Sequence, residues 1–444
     1  MNSLKDKFSK VGMIIPNILM PRKDINLQKW AVVACDQYTS EPEYWDSVAQ
    51  EVGSSPSTLN LIFPEVYLED DDKEERIKHI NAAMKEYLSQ GILEDQGQAF
   101  FLVERKTPDT PTRWGLMAAL DLEQYDFSKD STSLIRATEG TILDRIPPRK
   151  EIRKNASIEL PHIMVLIDDP EKTVIEPFTR NASSLEKVYD FDLMKNGGHI
   201  TGYKIENESS LHQIADALEK LSDPSAFSKK YGNNDVLLFA MGDGNHSLAT
   251  AKSVWEDTKR THSGDGDVMQ HPARWALVEI ENIYDEGLVF EPIHRVIFNS
   301  DFNQFTQELE KIGPVEFTSL STTDEVMKRV STDEGRHIIG YVDGERIGVF
   351  TVKEPNSTIA AGTAQEAIDS LVQQENTTVD YIHGQKSTEN IGRKPGNFGI
   401  FLPALDKSDF FRTVIHDGAL PRKTFSMGEA NEKRYYVEAR KIKS

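Results

Sequence analysis

The sequence predicts an α+β protein with mixed sheets and flanking helices, the outcome of three observations. Apolar runs of strand length recur along the chain, as in "AFFLVERKT" and "RWALVEIENI". Between them lie stretches with helical spacing, as in "KEERIKHINAAMKEYLSQGIL", where Ile77, Ile80, Ala83, Met84 and Leu88 recur on one face and Gly91 follows. The two kinds do not alternate regularly enough for a doubly wound parallel sheet.

The elements follow in order. "WAVVACDQYTSEPEYWDSVAQEVG" reads as a buried strand, a turn and a helix capped by Thr39 or Ser40, with Glu43 in its first turn. "AFFLVERKT" and "RWGLMAALDLEQY" form a strand pair around "TPDTPT". "PHIMVLIDD" and "KTVIEPF" form another, and "SSLHQIADALEKLSD" is an amphipathic helix. The polar "THSGDGDVMQHPAR" is a loop. "RWALVEIENI" and "HRVIF" are strands, "NQFTQELEKI" and "AQEAIDSLVQQE" helices, and "RHIIGYVDGERIGVFTV" a hairpin with Asp343-Gly344 at its turn. The C-terminal "RKTFSMGEANEKRYYVEARKI" has strand-like alternation. With 444 residues, two or three domains are expected at roughly 150 residues each. The expected division is 1–130 as an N-terminal α/β region, 131–262 as a phosphate-binding core, and 263–444 as a C-terminal α+β region.

Composition excludes several function classes. A net charge of -21 opposes binding to nucleic acid, and no basic stripe interleaves with aromatics. No stretch approaches 18 apolar residues, so no membrane span is expected. The N-terminus lacks the apolar core of a signal peptide, and Cys35 is the single cysteine, so a cytoplasmic protein without disulfides is expected. Neither H-E-x-x-H nor G-x-S-x-G occurs. The expected partner is a small-molecule substrate, and a homo-oligomer is compatible with the sequence.

Two stretches carry chemistry. In "DVLLFAMGDGNHSLATAKSVW" an apolar run ends in Gly242-Asp243-Gly244-Asn245-His246-Ser247, and a helix pattern follows. Helix starts carry N–H groups without intrahelical partners, which together with the dipole favour an anion. Asp243 is suited to hold a magnesium ion beside a phosphate, and His246 to donate to phosphate or move a proton. The alternative is a helix capped internally by Asp243 or Asn245. The standard phosphate-loop fingerprints are missing. In "IRATEGTILDRIPPRKEIRKNASIELPHIM", Arg136, Arg145, Arg149 and Arg153 interleave with Glu139, Thr141 and Asp144. Arginine suits bidentate recognition of phosphate, although a solvated loop of ordinary ion pairs is the plainer reading. Pro147-Pro148 is expected to interrupt any single helix there. His294-Arg295 and Arg422-Lys423 are further candidates for an anion pocket.

Five stretches, "VACDQYTSEPEYWDSVAQEVGSSPSTLNLIFPEVYLED", "TILDRIPPRKEIRKNASIELPHIMVLIDDPEKTVIEPF", "GDGNHSLATAK", "FEPIHRVIF" and "LPRKTFSMGEANEKRYYVEARKI", resemble the family known as domain of unknown function 1015. Many of its members carry D-G-H-H-R-x-x-x-A where this chain has Asp243 to Ala251. That motif resembles the phosphate-binding turn of the ParB/sulfiredoxin superfamily, which includes kinases acting on free L-serine. The resemblance implies a core of that kind, a nucleoside phosphate and Mg2+ as cofactors, and Glu139 as the base on a substrate hydroxyl. It assigns Asp243 to the metal, Gly244, Asn245 and Ser247 to phosphate, and His246 to catalysis. Asn245 replaces the first histidine of the pair and Ser247 the arginine that meets phosphate. Charge must then come from Arg145, Arg149, His294, Arg295 or Lys423. The expected function is phosphoryl transfer on a small hydroxy amino acid such as serine, in the kinase or the phosphatase direction. The alternatives are a non-catalytic nucleotide or metabolite sensor, and a structural protein whose polar knot is only a helix cap.

Overall fold

The computed structural model describes residues 3–443 apart from 109, 263–266, 333–334 and 374–375. The chain forms two compact units, one of residues up to Val289 and from Gly428 onward, the other of Phe290–Met427. The expected divisions after 130 and 262 both fall inside the first unit, because one sheet draws strands from either side of each.

Ten strands of the described residues build that sheet. In chain order they are β1 (Met13–Ile14), β2 (Phe100–Lys106), β3 (Arg113–Asp121), β4 (Tyr125–Asp126), β5 (Ile135–Arg136), β6 (Met164–Ile167), β7 (Glu186–Asp192), β8 (His199–Ile205), β9 (Phe239–Asp243) and β10 (Trp275–Asn282). The spatial order is β7-β8-β2-β3-β10-β6-β9-β5-β4, with β1 paired to β3. The sheet is mixed: β10 and β6 run parallel, β6 and β9 antiparallel. Its inner strands β2, β3, β6 and β10 are almost wholly buried because both faces are covered there. Phe100, Leu102, Leu116 and Leu120 enter one core with Leu248 and Trp255. Phe101, Val103, Met117 and Leu277 enter the other with Trp30, Trp45 and Tyr435. The expected mixed sheets with flanking helices are therefore present.

Two helices of this unit matter for the site, α1 (Ile146–Arg153) and α2 (Asn245–Thr261). Leu248, Ala251 and Trp255 of α2 dock on the sheet, and Lys150 of α1 pairs with Asp257 of α2 at 2.5 Å. Pro147 and Pro148 sit in the first turn of α1, where missing N–H groups cost nothing, and no single helix carries the four arginines, as expected.

Other expectations are corrected. The helix Pro42–Val52 takes Glu41 as its cap residue, not Thr39 or Ser40, since Pro42 fills the first helical position. "KTVIEPF" is no strand: the Asp169 carboxylate accepts from the N–H groups of Thr173 and Val174, and the folded-back turn leads to the helix Glu176–Thr179. Residues 263–266 of the expected loop lie outside the described residues. After Gly428 the chain is mostly irregular up to Arg440–Lys441. Isolated backbone bonds to Leu19, Val32 and Ala34 hold it together with buried side chains. Buried Arg434 lies 3.0 Å from Glu279 of β10 and also pairs with Glu438, and Arg440 donates to Glu159 at 2.7 Å.

The second unit has its own sheet of β11 (Phe290–Phe298), β12 (Val315–Ser319), β13 (His337–Asp343), β14 (Arg346–Val352), β15 (Thr378–His383), β16 (Asn397–Phe401) and β17 (Phe425–Met427). The order is β12-β14-β13-β16-β11-β15, with β17 on β11. The expected hairpin is present as β13–β14, but Asp343 pairs with Arg346, so its turn is Gly344-Glu345, one residue later than expected. No helix of the described residues is long and apolar enough to cross a membrane.

Gly115 of β3 tests the packing of this core. A Cβ there would lie 2.2 Å from Oε1 and 2.5 Å from Cγ of Glu279. Gly115→Ala is expected to lower the unfolding free energy by about 1–3 kcal/mol in urea titration. An unchanged midpoint would contradict this packing.

Candidate functional site

The site is built where β9 runs into α2. Asp243 ends the strand, and Gly244 turns the chain with φ +83°. A Cβ on Gly244 would also lie 3.1 Å from Cα of Ile163, so conformation and space both require glycine. Helix α2 then begins at Asn245 with no side-chain cap. The internal capping weighed from sequence does not occur. Asp243 Oδ1 accepts from the Gly244 N–H at 2.9 Å, and Asn245 Oδ1 accepts from the Thr138 N–H at 3.2 Å.

The loop after β5 is tied to this helix start. The Thr138 hydroxyl donates to the Met241 carbonyl at 2.6 Å, and the Ile142 N–H donates to His246 Nε2 at 3.3 Å. An Nε2 that accepts carries no proton, so the His246 ring is neutral with its proton on Nδ1. Half-buried Glu139 lies in the loop between these two ties. The polar stretch 138–142 and the helix start thus form one assembly from residues about a hundred positions apart.

A second set of groups arrives beside Asp243. Lys433 Nζ is 2.9 Å from Asp243 Oδ2. Burial pushes the Asp243 carboxyl up, but Lys433, His162 and the Gly244 N–H more than offset this and hold it below the ordinary carboxylate value. His162 Nδ1 is 2.8 Å from the Tyr436 hydroxyl, which accepts from the Cys35 N–H at 3.1 Å. On its other side His162 Nε2 lies 3.9 Å from Asp36 Oδ2. Burial pushes the Cys35 thiol far above its ordinary value, so it is no nucleophile. Glu65, whose N–H donates to the Cys35 carbonyl at 2.8 Å, receives the fork of Arg149 at 2.8 and 2.5 Å.

The sequence matches, over residues 19–374, the family described as a protein of unknown function, DUF1015. The chain belongs to this family. Comparison with curated proteins returns no match. Among solved structures, this DUF1015 protein is similar to a free serine kinase in complex with AMP, at 10% identity and a TM-score of 0.35, over 77% of this chain and 94% of that one. A variant of a free serine kinase in complex with ADP gives 11% identity and a TM-score of 0.36 over 77% and 95%. A conserved hypothetical protein from Pyrococcus furiosus gives 11% and 0.34 over 74% and 95%.

The DUF1015 chain brings together some of the residues singled out in its sequence. Asp243, Gly244, Asn245, His246 and half-buried Ser247 form the strand-to-helix turn, with the Glu139 loop tied to it. Arg145 is exposed at the start of α1. Arg149 is engaged by Glu65, Arg153 by Glu159, and buried Arg136 donates to the carbonyls of Ser133 and Asp235. His294, Arg295 and Lys423 belong to the second unit. There, buried Arg295 donates to the carbonyls of Ile293 and Arg422 and lies 4.6 Å over the Tyr381 ring, while Lys423 Nζ lies 5.7 Å from the same ring. These contacts make Arg295 an internal strut, a correction to its assignment as a phosphate ligand. Sequence reasoning missed Lys433, His162, Tyr436 and Asp36, although all four stand in the stretches that carry the family resemblance.

His294 is likewise internal, accepting from the Leu402 N–H at 3.2 Å. Burial, with Arg295 and His383 adding to it, pushes its ring from 6.5 down to about 4. The fold holds it neutral, whereas the unfolded chain protonates it near its ordinary value. Its contribution is thus fully present above pH 6.5 and is lost as pH falls toward 4, by about 3 kcal/mol in all. In denaturant titrations at pH 7 and pH 4.5, His294→Gln is expected to lose less stability on acidification than the unaltered protein. Equal losses would contradict the assignment.

Proposed function

We propose that this protein is a nucleotide-dependent phosphoryl-transfer enzyme whose acceptor is a small hydroxy amino acid, serine being the first candidate. The observation that carries the reading is the start of α2, which has no side-chain cap and lies beside the Asp243–Lys433 pair. N–H groups of a first helical turn and the helix dipole favour phosphate oxygens. Gly244 lets those oxygens approach the backbone closely. Phosphoryl transfer asks the protein mainly for positioning and charge neutralisation. Lys433 supplies the cation that Ser247 does not, with exposed Arg145 as a second.

Asp243 fits magnesium by donor type, since that ion takes carboxylate and phosphate oxygens together. When bound, magnesium would neutralise charge on the transferred group. Glu139, on the loop tied over the helix start, takes the proton of the acceptor hydroxyl. His246, neutral through its bond from the Ile142 N–H, orients that loop. With water as acceptor the same arrangement hydrolyses phosphoserine-like esters. A non-catalytic sensor is the second reading, favoured by the neutral Ser247 where the family motif has arginine.

Thermal unfolding with magnesium and each of ATP, ADP, CTP and GTP tests the reading. A nucleotide at a hundredfold its Kd is expected to stabilise the protein by about 2.7 kcal/mol. The gain should disappear in Asp243→Ala, each variant being compared with its own ligand-free state. Glu139→Gln should keep the gain and lose turnover of serine by about 10²–10⁴-fold. Binding with no turnover in the unaltered protein would select the sensor. No stabilisation by any nucleotide would overturn both phosphoryl transfer and a nucleotide sensor.

A further inference from the structure

Both oxygens of Asp243 are already engaged. Oδ1 accepts from the backbone N–H of Gly244, whose position is fixed, while Oδ2 meets the movable ammonium of Lys433 at 2.9 Å. We propose that Lys433 and a divalent cation compete for this oxygen, and that the phosphates of a bound nucleotide receive the ammonium when the metal displaces it. The inference rests on the reading that phosphate binds at the start of α2.

The backbone at Lys433 is held on both sides. Arg434 is buried between Glu279 and Glu438, Tyr436 is buried against His162, and the Lys433 N–H donates to the Ala430 carbonyl. The side chain is not held in the same way. Its four-carbon stem ends in a point charge with rotatable donors, so the ammonium can leave Asp243 while its Cα stays in place.

The charges then set the energetics. Without ligands, the Lys433 ammonium 2.9 Å from Oδ2 neutralises the Asp243 carboxylate. A metal arriving alone takes the carboxylate and strands an ammonium whose side chain is only 14% exposed. Stranding a poorly solvated charge is costly. Phosphate at the helix start removes that cost by receiving the ammonium. Lys433 therefore makes metal and nucleotide binding mutually dependent, and by linkage each must strengthen the other by the same factor.

The test is Mn2+ affinity, read by electron paramagnetic resonance of the free ion with the full chain, with and without ADP. Asp243→Asn subtracts binding at other carboxylates. Without nucleotide, Lys433→Met and Lys433→Gln are expected to bind Mn2+ at the Asp243 site about tenfold more tightly than the unaltered protein, and Lys433→Arg no more tightly. ADP should strengthen Mn2+ binding about tenfold in the unaltered protein and much less in Lys433→Met. Equal Mn2+ affinity in the unaltered protein and both neutral variants would overturn the proposal. So would Mn2+ binding in Lys433→Met that survives Asp243→Asn. If ADP does not bind at all, the phosphoryl-transfer reading fails, while the nucleotide-free comparison still decides whether lysine and metal compete.

Discussion

Arg434 is the residue on which the site depends. It is buried between Glu279 on the central strand β10 and Glu438 on its own segment. A buried charge must be paired, and breaking such a pair typically costs about 3–5 kcal/mol. The pairing draws the last stretch of the chain, which has little secondary structure of its own, across the first unit. Lys433 and Tyr436, on either side of Arg434, are carried to the end of β9 as a consequence.

The rest of the site follows from the sheet. A sheet covered on both faces is rigid and dry, and its strand ends are where polar chemistry meets solvent. Strand β9 delivers Asp243 to such an end, Gly244 turns the chain at φ +83°, and α2 starts without a side-chain cap. Thr138 and Ile142 then tie the Glu139 loop to Asn245 and His246. Donors, carboxylates and a tethered cation gather at one point, an arrangement suited to phosphate groups and their counter-charges.

Much of this was legible in the sequence. The strand–glycine–helix order at 235–255 was visible because a continuous apolar run, a glycine pair and helical spacing follow one another there. The helix 73–89 and the hairpin at 337–352 were visible for similar local reasons. What escaped depends on distant partners. The run "KTVIEPF" alternates like a strand, yet the Asp169 carboxylate captures its backbone N–H groups. "EKRYYVEARKI" also alternates, but Arg434, Glu438 and Arg440 pair with residues far back in the chain and override it. Lys433 looked like one more surface lysine until its ammonium met Asp243, 190 residues away. The arginines near 145 drew attention by their density, whereas Arg136, Arg149 and Arg153 hold local structure together.

The most direct measurement is a crystal structure of the protein with ADP and magnesium. The account predicts phosphate oxygens on the backbone N–H groups of Asn245, His246 and Ser247, with the Lys433 ammonium on phosphate and no longer on Asp243. ADP bound elsewhere, with the helix start untouched and Lys433 still paired to Asp243, would contradict it.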